Sequence, residues 1–148
     1  MKIYYLIIIF ILNFNITYAE EFKLIKIIDD LKSPWSLSFI NQNEALITEK
    51  PGNIIHINIQ RTELKKIKHN LKVLEYRQGG LLDILYQDQN IYISYSENRG
   101  NWNSSTSVAK GLFDKNNIKF NNIFRAEPPI DSMYHFGSRL VIKNKNYY

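Results

Sequence analysis

Apolar and polar residues alternate in short runs along most of this chain. In residues 35–40, WSLSFI, the large side chains of Trp35, Leu37 and Phe39 alternate with serines, and residues 54–59, IIHINI, repeat the pattern. Because successive side chains of a strand point to opposite faces, this alternation predicts half-buried β-strands.

Similar runs recur at short intervals, separated by polar or Pro-Gly turns. They are FKLIKII (22–28), EALIT (44–48), LLDILY (81–86), IYISYS (91–96), TSVAKGLF (106–113), IKFNNIF (118–124) and LVI (140–142). No window holds a helical period over three turns. The pattern therefore predicts an all-β fold, which is a sandwich, a barrel or a propeller.

The N-terminus has the three-part pattern of a secretory signal. Lys2 precedes an apolar run over residues 3–12, and Thr17 and Ala19 stand where a signal peptidase requires small residues. The run is about half of the ~20 residues that a membrane span needs. We expect residues 1–19 to be removed, leaving an exported or periplasmic domain from Glu20 onward with no stable membrane span; an uncleaved membrane anchor is the alternative.

Length sets a further constraint. A four-stranded propeller blade takes ~40–45 residues, so residues 20–148 have room for about three blades, fewer than a closed ring needs. The last ten residues, RLVIKNKNYY, read as a strand, a polar turn and the start of a returning strand. The sequence thus predicts that 20–148 is the N-terminal part of a longer domain; a frayed tail is the alternative.

Composition removes several classes of function. The formal net charge is +5, but no cluster of Lys and Arg reaches the density of a nucleic-acid patch. The absence of cysteine excludes disulfides, thiolate metal sites and cysteine nucleophiles. Imidazole chemistry can use only His56, His69 or His135. Of these, His56 and His69 are predicted to be solvated, on the polar face of a strand and in a lysine-rich segment.

Four segments in this order resemble the glucose/sorbosone dehydrogenase family, most closely its aldose sugar dehydrogenase branch. They are SPWSLSFINQNEALITEKPGNI, RQGGLLDILYQDQNIYISYSE, STSVAKGLF and YHFGSRLVI. The resemblance implies a six-bladed β-propeller, of which this chain is about the first two to three blades. It also implies oxidation of the C1 hydroxyl of an aldose to a lactone, with pyrroloquinoline quinone (PQQ) as hydride acceptor and calcium as the metal that binds this cofactor.

The resemblance assigns two site residues. His135 matches the histidine of an H-x-x-x-R-L motif and would be the catalytic base, since imidazole suits proton abstraction near neutral pH. Gln78, before two glycines, would bind the substrate, because an amide both donates and accepts hydrogen bonds. The family's cofactor and calcium ligands come largely from later blades, so the resemblance implies no metal ligand set in these residues.

Other positions are interpreted more plainly. Arg139 invites a cofactor salt bridge, but a structural role is at least as well supported. Asp83 is expected to hydrogen-bond backbone within a blade, and Trp35 to pack in a core. Gly79 and Gly80 either admit a ligand close to the backbone or form a turn into a buried strand. Tyr134 stands where glucose-type members carry an acidic residue, which favours a broad range of aldoses.

The electron acceptor and the oligomeric state are left open by the sequence. Two alternatives to the enzyme are kept as well: a secreted propeller that binds a partner without catalysis, and the inactive product of a decayed gene.

Overall fold

The computed structural model describes residues 22–143, in which all regular secondary structure is β-strand. The predicted signal peptide and the final tyrosines lie outside the described residues. Nine strands follow in order: β1 Pro34–Phe39, β2 Glu44–Glu49, β3 Asn53–Asn58, β4 Glu63–His69, β5 Leu81–Gln87, β6 Asn90–Asn98, β7 Ser104–Leu112, β8 Asn117–Ile118 and β9 Phe120–Arg125. Over residues 22–143, no helix is long and apolar enough to cross a bilayer.

The strands form two sheets that are consecutive along the chain. In the first, β1, β2, β3 and β4 lie side by side as an antiparallel meander; in the second, the order is β5-β6-β7-β9. Strand β8 lies between β7 and β9 along the chain, but it belongs to the first sheet. It pairs in parallel with β4 through the register Lys68↔Asn117 and His69↔Ile118. The two sheets are therefore joined at an edge as well as stacked.

The main core lies between the two sheets. Fully buried aliphatic side chains of both sheets meet there, joined by Phe120 and by the phenol ring of Tyr95. The alternation read from the sequence decides which side chains take part: within β2, Leu46 points into this core, whereas Ala45 and Ile47 point to the opposite face. Burial of this apolar surface supplies the main stabilisation of the sheet pair.

Both outer faces of the pair keep exposed apolar side chains. On the first sheet, residues Ile28 and Leu31 cover only part of the face, and further apolar side chains remain about half exposed. These are Trp35, Leu37, Phe39 and Leu64 on the first sheet, and Leu112, Ile123 and Phe124 on the second. Two opposed apolar faces are the pattern expected of blades inside a stack.

Two predicted strands are not formed. Residues 22–28 make no strand, and Phe22 and Leu24 are almost wholly exposed, because no described strand lies beside them to accept their hydrogen bonds. Residues 140–142 lie without strand pairing against the outer face of the second sheet, near Val108 and Phe124. The alternating pattern shows which residues suit a strand, but a strand also requires a neighbour.

The prediction of solvated histidines is wrong for both His56 and His69. His56 is 6% exposed, since the polar face of β3 is the face that meets the second sheet, where His56 stacks near Phe113. Its Nε2 lies 3.3 Å from Glu44 Oε1 without hydrogen-bond geometry. His69 is half buried, and its Nε2 lies 2.8 Å from the carbonyl oxygen of Gly52.

Because these two histidines are buried, the stability of the fold depends on pH. Desolvation lowers the pKa of both His56 and His69 below the ordinary value, with the charge of Lys115 a further cause at His56. The unfolded chain therefore takes up protons first, and stability falls as the pH drops through ~6.5, by at most ~1.4 kcal/mol per pH unit for each proton. Urea unfolding between pH 5 and 8 measures this slope. An unchanged slope in His56→Gln would contradict the assignment to His56.

Candidate active site

Several connections between strands meet at one end of the two sheets. They are residues 50–52, 70–80, 99–103 and 126–140. Backbone hydrogen bonds join them: Leu81 N–H donates to the oxygen of Lys50 at 3.0 Å, Gln78 N–H to that of Met133 at 3.1 Å, and Ser104 exchanges two bonds with Ile130. Because antiparallel strands place alternate connections at the same end, loops that are distant in sequence form one surface here.

Gln78 and His135, which are 57 residues apart, are in direct contact at this surface. The backbone N–H of His135 donates to Gln78 Oε1 at 2.8 Å. With the bond from Gln78 N–H to Met133, this clamps the loop on both sides of Tyr134. His135 has a φ of 64°, a left-handed conformation that needs such support in a residue other than glycine. Both side chains are exposed, so the imidazole is open to a ligand.

The loop after His135 is fixed by a buried carboxylate. Asp83 is 4% exposed, and its Oδ2 accepts the backbone N–H of Leu140 at 2.6 Å while its Oδ1 accepts the Ser36 hydroxyl at 2.6 Å. Asp83 was expected to hydrogen-bond backbone within a blade; the bond to backbone is formed, but its partner Leu140 belongs to neither sheet. Arg139 Nη1 lies 3.5 Å from Asp83 Oδ1, and its side chain is 82% exposed, so this ion pair adds little.

Ser138 is held from two further sides. The Trp35 indole N–H donates to Ser138 Oγ at 3.0 Å, and the Ser94 hydroxyl donates to the carbonyl oxygen of Ser138. Trp35 is 48% exposed, so the predicted core packing is not seen in residues 22–143. The sequence analysis did not predict these contacts. The only sequence signal was Ser94, a polar residue in the apolar run of β6.

Gly79 and Gly80 serve the protein's own packing. Both are buried, and Gly80 N–H donates to Ser96 Oγ at 2.7 Å, whose backbone N–H returns a bond to Gly80 O. A Cβ at Gly80 would lie 2.6 Å from the backbone oxygen of Lys50. Of the two interpretations left open by the sequence, the structure supports the turn into a buried strand.

The described residues do not form a binding site for PQQ or for calcium. The carboxylates of PQQ call for several cations, but Arg139 faces Asp83, and Lys50 Nζ is bonded to the backbone oxygen of Arg77. Within residues 22–143 no three His, Asp or Glu side chains lie together as metal ligands do.

The architecture defines a class of protein. Two stacked sheets, each containing four antiparallel strands (β1 to β4 in one, β5, β6, β7 and β9 in the other), with a site formed by loops at one end, are two neighbouring blades of a β-propeller. The sequence model of the Glucose / Sorbosone dehydrogenase family matches residues 31–148. The chain belongs to this family.

Individual relatives agree with this assignment. The aldose sugar dehydrogenase YliI of Escherichia coli (strain K12) is 32% identical over 128 residues, which are 80% of this chain and 34% of the relative. A crystal structure of the soluble aldose sugar dehydrogenase of Escherichia coli in its apo form superposes with a TM-score of 0.69 at 31% identity, covering 76% of this chain and 35% of that one.

A more distant likeness supports the fold. The PQQ-bound aldose sugar dehydrogenase of Streptomyces coelicolor superposes with a TM-score of 0.62 at 19% identity, over 71% of this chain and 34% of that chain. The chain spans about a third of the length of the curated relatives it matches.

Proposed function

We propose that residues 20–148 are the N-terminal blades of an exported quinoprotein that oxidises the C1 hydroxyl of aldoses to lactones. The contact between Gln78 and the His135 loop carries this proposal, since it brings together the two residues that the family motifs assign to the chemistry. Membership of the glucose/sorbosone dehydrogenase family supports the substrate class.

His135 takes the role of general base. Oxidation of a C1 hydroxyl removes a hydride from carbon and a proton from oxygen, and an exposed imidazole is suited to accept that proton near neutral pH. Because its backbone is clamped by Gln78, the ring is presented from a fixed position. The hydride acceptor is proposed to be PQQ, with calcium, on family membership alone; their ligands are expected outside residues 22–143.

Gln78 acts on the substrate through its amide nitrogen. Its Oε1 already accepts the His135 N–H, so the NH₂ group remains to donate to a sugar oxygen beside the base. One amide thus positions the base and binds the substrate. Tyr134, next to the base, offers a hydroxyl in place of a carboxylate, which favours a broad range of aldoses over strict glucose specificity.

The test is turnover by the whole protein to which these residues belong. Purified from a periplasmic fraction, with PQQ, Ca²⁺ and a dye as electron acceptor, it is expected to oxidise several aldoses, and NMR is expected to identify the lactone. The 148-residue chain alone is expected to show no turnover. A whole protein that binds sugar but never oxidises it would favour the non-catalytic propeller instead.

A further inference from the structure

Lys50, the first residue after β2, reaches from the first sheet to the loops of the candidate active site. Its Nζ donates to the backbone oxygen of Arg77 at 2.7 Å. The same Nζ lies 5.8 Å from the centroid of the Trp35 ring, which is close enough for a cation–π contact. One ammonium group therefore contacts two segments that are far apart along the chain.

The backbone of Lys50 is fixed on both sides, so its side chain starts from a defined point. Its N–H donates to the oxygen of Ser33, and its oxygen accepts the N–H of Leu81, each at 3.0 Å. The carboxylate of Glu49, the preceding residue, binds the backbone N–H of Lys32 instead of this ammonium. The charge of Lys50 is thus directed at a carbonyl and a ring.

The contact with Arg77 falls on the peptide group that leads into Gln78. The carbonyl of this peptide accepts from Lys50, and its N–H, which belongs to Gln78, donates to the oxygen of Met133 at 3.1 Å. A charged donor at the carbonyl polarises the peptide and strengthens the bond that its N–H makes. The peptide plane from which Gln78 departs is thereby held at both of its polar groups.

This peptide needs support because Arg77 has a φ of 52°, in the left-handed region that residues other than glycine seldom adopt. Gly79 N–H donates to the oxygen of Tyr76 at 2.8 Å and closes a tight turn around Arg77. The guanidinium lies 5.4 Å from the Tyr76 ring centroid, and Tyr76 packs edge to face on Trp102. Aromatic packing thus holds the Arg77 side chain, while Lys50 holds its carbonyl.

The second contact of Lys50 leads to the loop that carries His135. The Trp35 ring beside the ammonium donates its indole N–H to Ser138 Oγ at 3.0 Å. The attraction between a cation and an aromatic face restrains the ring from which Ser138 is held. Since Gln78 Oε1 accepts the His135 N–H, Lys50 acts on both partners of that contact.

We propose that Lys50 is a positioning residue for the proposed oxidation. Its ammonium sets the direction of the Gln78 amide and, through Trp35, the place of the loop that carries His135. The inference rests on the proposed function, because it concerns how these two residues meet a substrate. The hold on the peptide before Gln78, however, can be measured without cofactor or turnover.

Hydrogen exchange of the Gln78 backbone N–H, followed by NMR in the 148-residue chain, measures this hold. Lys50→Met keeps the length of the side chain and both backbone bonds, and it is expected to make this exchange roughly three- to tenfold faster, the size of one hydrogen bond. The N–H of Ser104, bonded to Ile130 at the same end of the sheets, is expected to keep its rate. Lys50→Arg is expected to retain slow exchange, because a guanidinium donates to carbonyls and stacks on rings.

Lys72→Met is the matched control, since Lys72 is an exposed lysine in the same connection as Gln78 and its loss changes the net charge equally. It is expected to leave the exchange of Gln78 unchanged. Unaltered exchange in Lys50→Met, or equal acceleration by both methionine variants, would overturn the positioning role. Equally faster exchange at Ser104 would also overturn it, because it would show a general loss of stability.

In the whole protein, Lys50→Met is expected to raise KM for aldoses roughly three- to tenfold and to lower kcat by less. The reason is that its direct contact is with the peptide of Gln78, which binds the substrate, whereas its path to His135 is longer. A fall in kcat alone would indicate only a smaller active fraction and would contradict the proposal. The two proposals are separable: absence of turnover in the unaltered whole protein removes the proposed function, whereas unaltered exchange at Gln78 removes the positioning role even where sugar is oxidised.

Discussion

His135→Ala in the whole protein is expected to reduce kcat for aldose oxidation by roughly 10²- to 10⁴-fold, the usual contribution of a positioned general base. The imidazole is exposed and its ring takes no part in a core, so the change removes the proton acceptor without a packing loss. Steady-state rates with PQQ and Ca²⁺ measure the effect, and KM is expected to change little.

Asp131→Ala is the matched control, because Asp131 is an exposed residue of the same loop. It is expected to keep full activity. Full activity in His135→Ala would show that another group takes the proton, and the proposed role of His135 would be wrong.

Gly80→Ala is expected to destabilise the fold by at least ~3 kcal/mol, which lowers the melting temperature by roughly 10–20 °C. Gly80 has a φ of 148°, a region that other residues avoid, and a Cβ would lie 2.6 Å from the backbone oxygen of Lys50. That oxygen accepts the N–H of Leu81, so it cannot withdraw without breaking a bond between the sheets. Thermal unfolding followed by circular dichroism measures the loss.

Gly137→Ala is the companion substitution. A Cβ at Gly137 meets no atom within 4 Å, so we expect stability to change by less than ~0.5 kcal/mol. Equal effects at both positions would show that the close approach of Gly80 to the first sheet does not limit stability.

The strands of the two sheets follow from the sequence because alternation is a local property. The runs at 35–40, 81–86 and 91–96 all form strands where the pattern predicts them. Alternation does not tell which face is covered, and this is why His56, on the polar face of β3, proved to be buried. The prediction of a strand at 22–28 was wrong for a similar reason, because the sequence of a segment does not show which strand lies beside it to accept its hydrogen bonds.

The candidate active site was likewise predictable only in part. Resemblance to the family selected Gln78 and His135, and the structure places them in contact. The clamp itself could not be predicted, because it joins a side chain to a backbone N–H across two loops. The sequence showed Asp83 as a carboxylate within an apolar run, but not that it binds the backbone of Leu140. The contact between Tyr76 and Trp102 depends on the relative position of two loops, which the packing of the sheets determines.

The short strand β8 has a consequence for the order of events during synthesis. The outer edge of β4 is paired only after Asn117 and Ile118 have left the ribosome, well after the first blade itself is complete. We therefore expect the nascent first blade to remain open and protease-sensitive until the second has been translated. The pair then closes as one cooperative unit, and its stability is more than the sum of two independent blades.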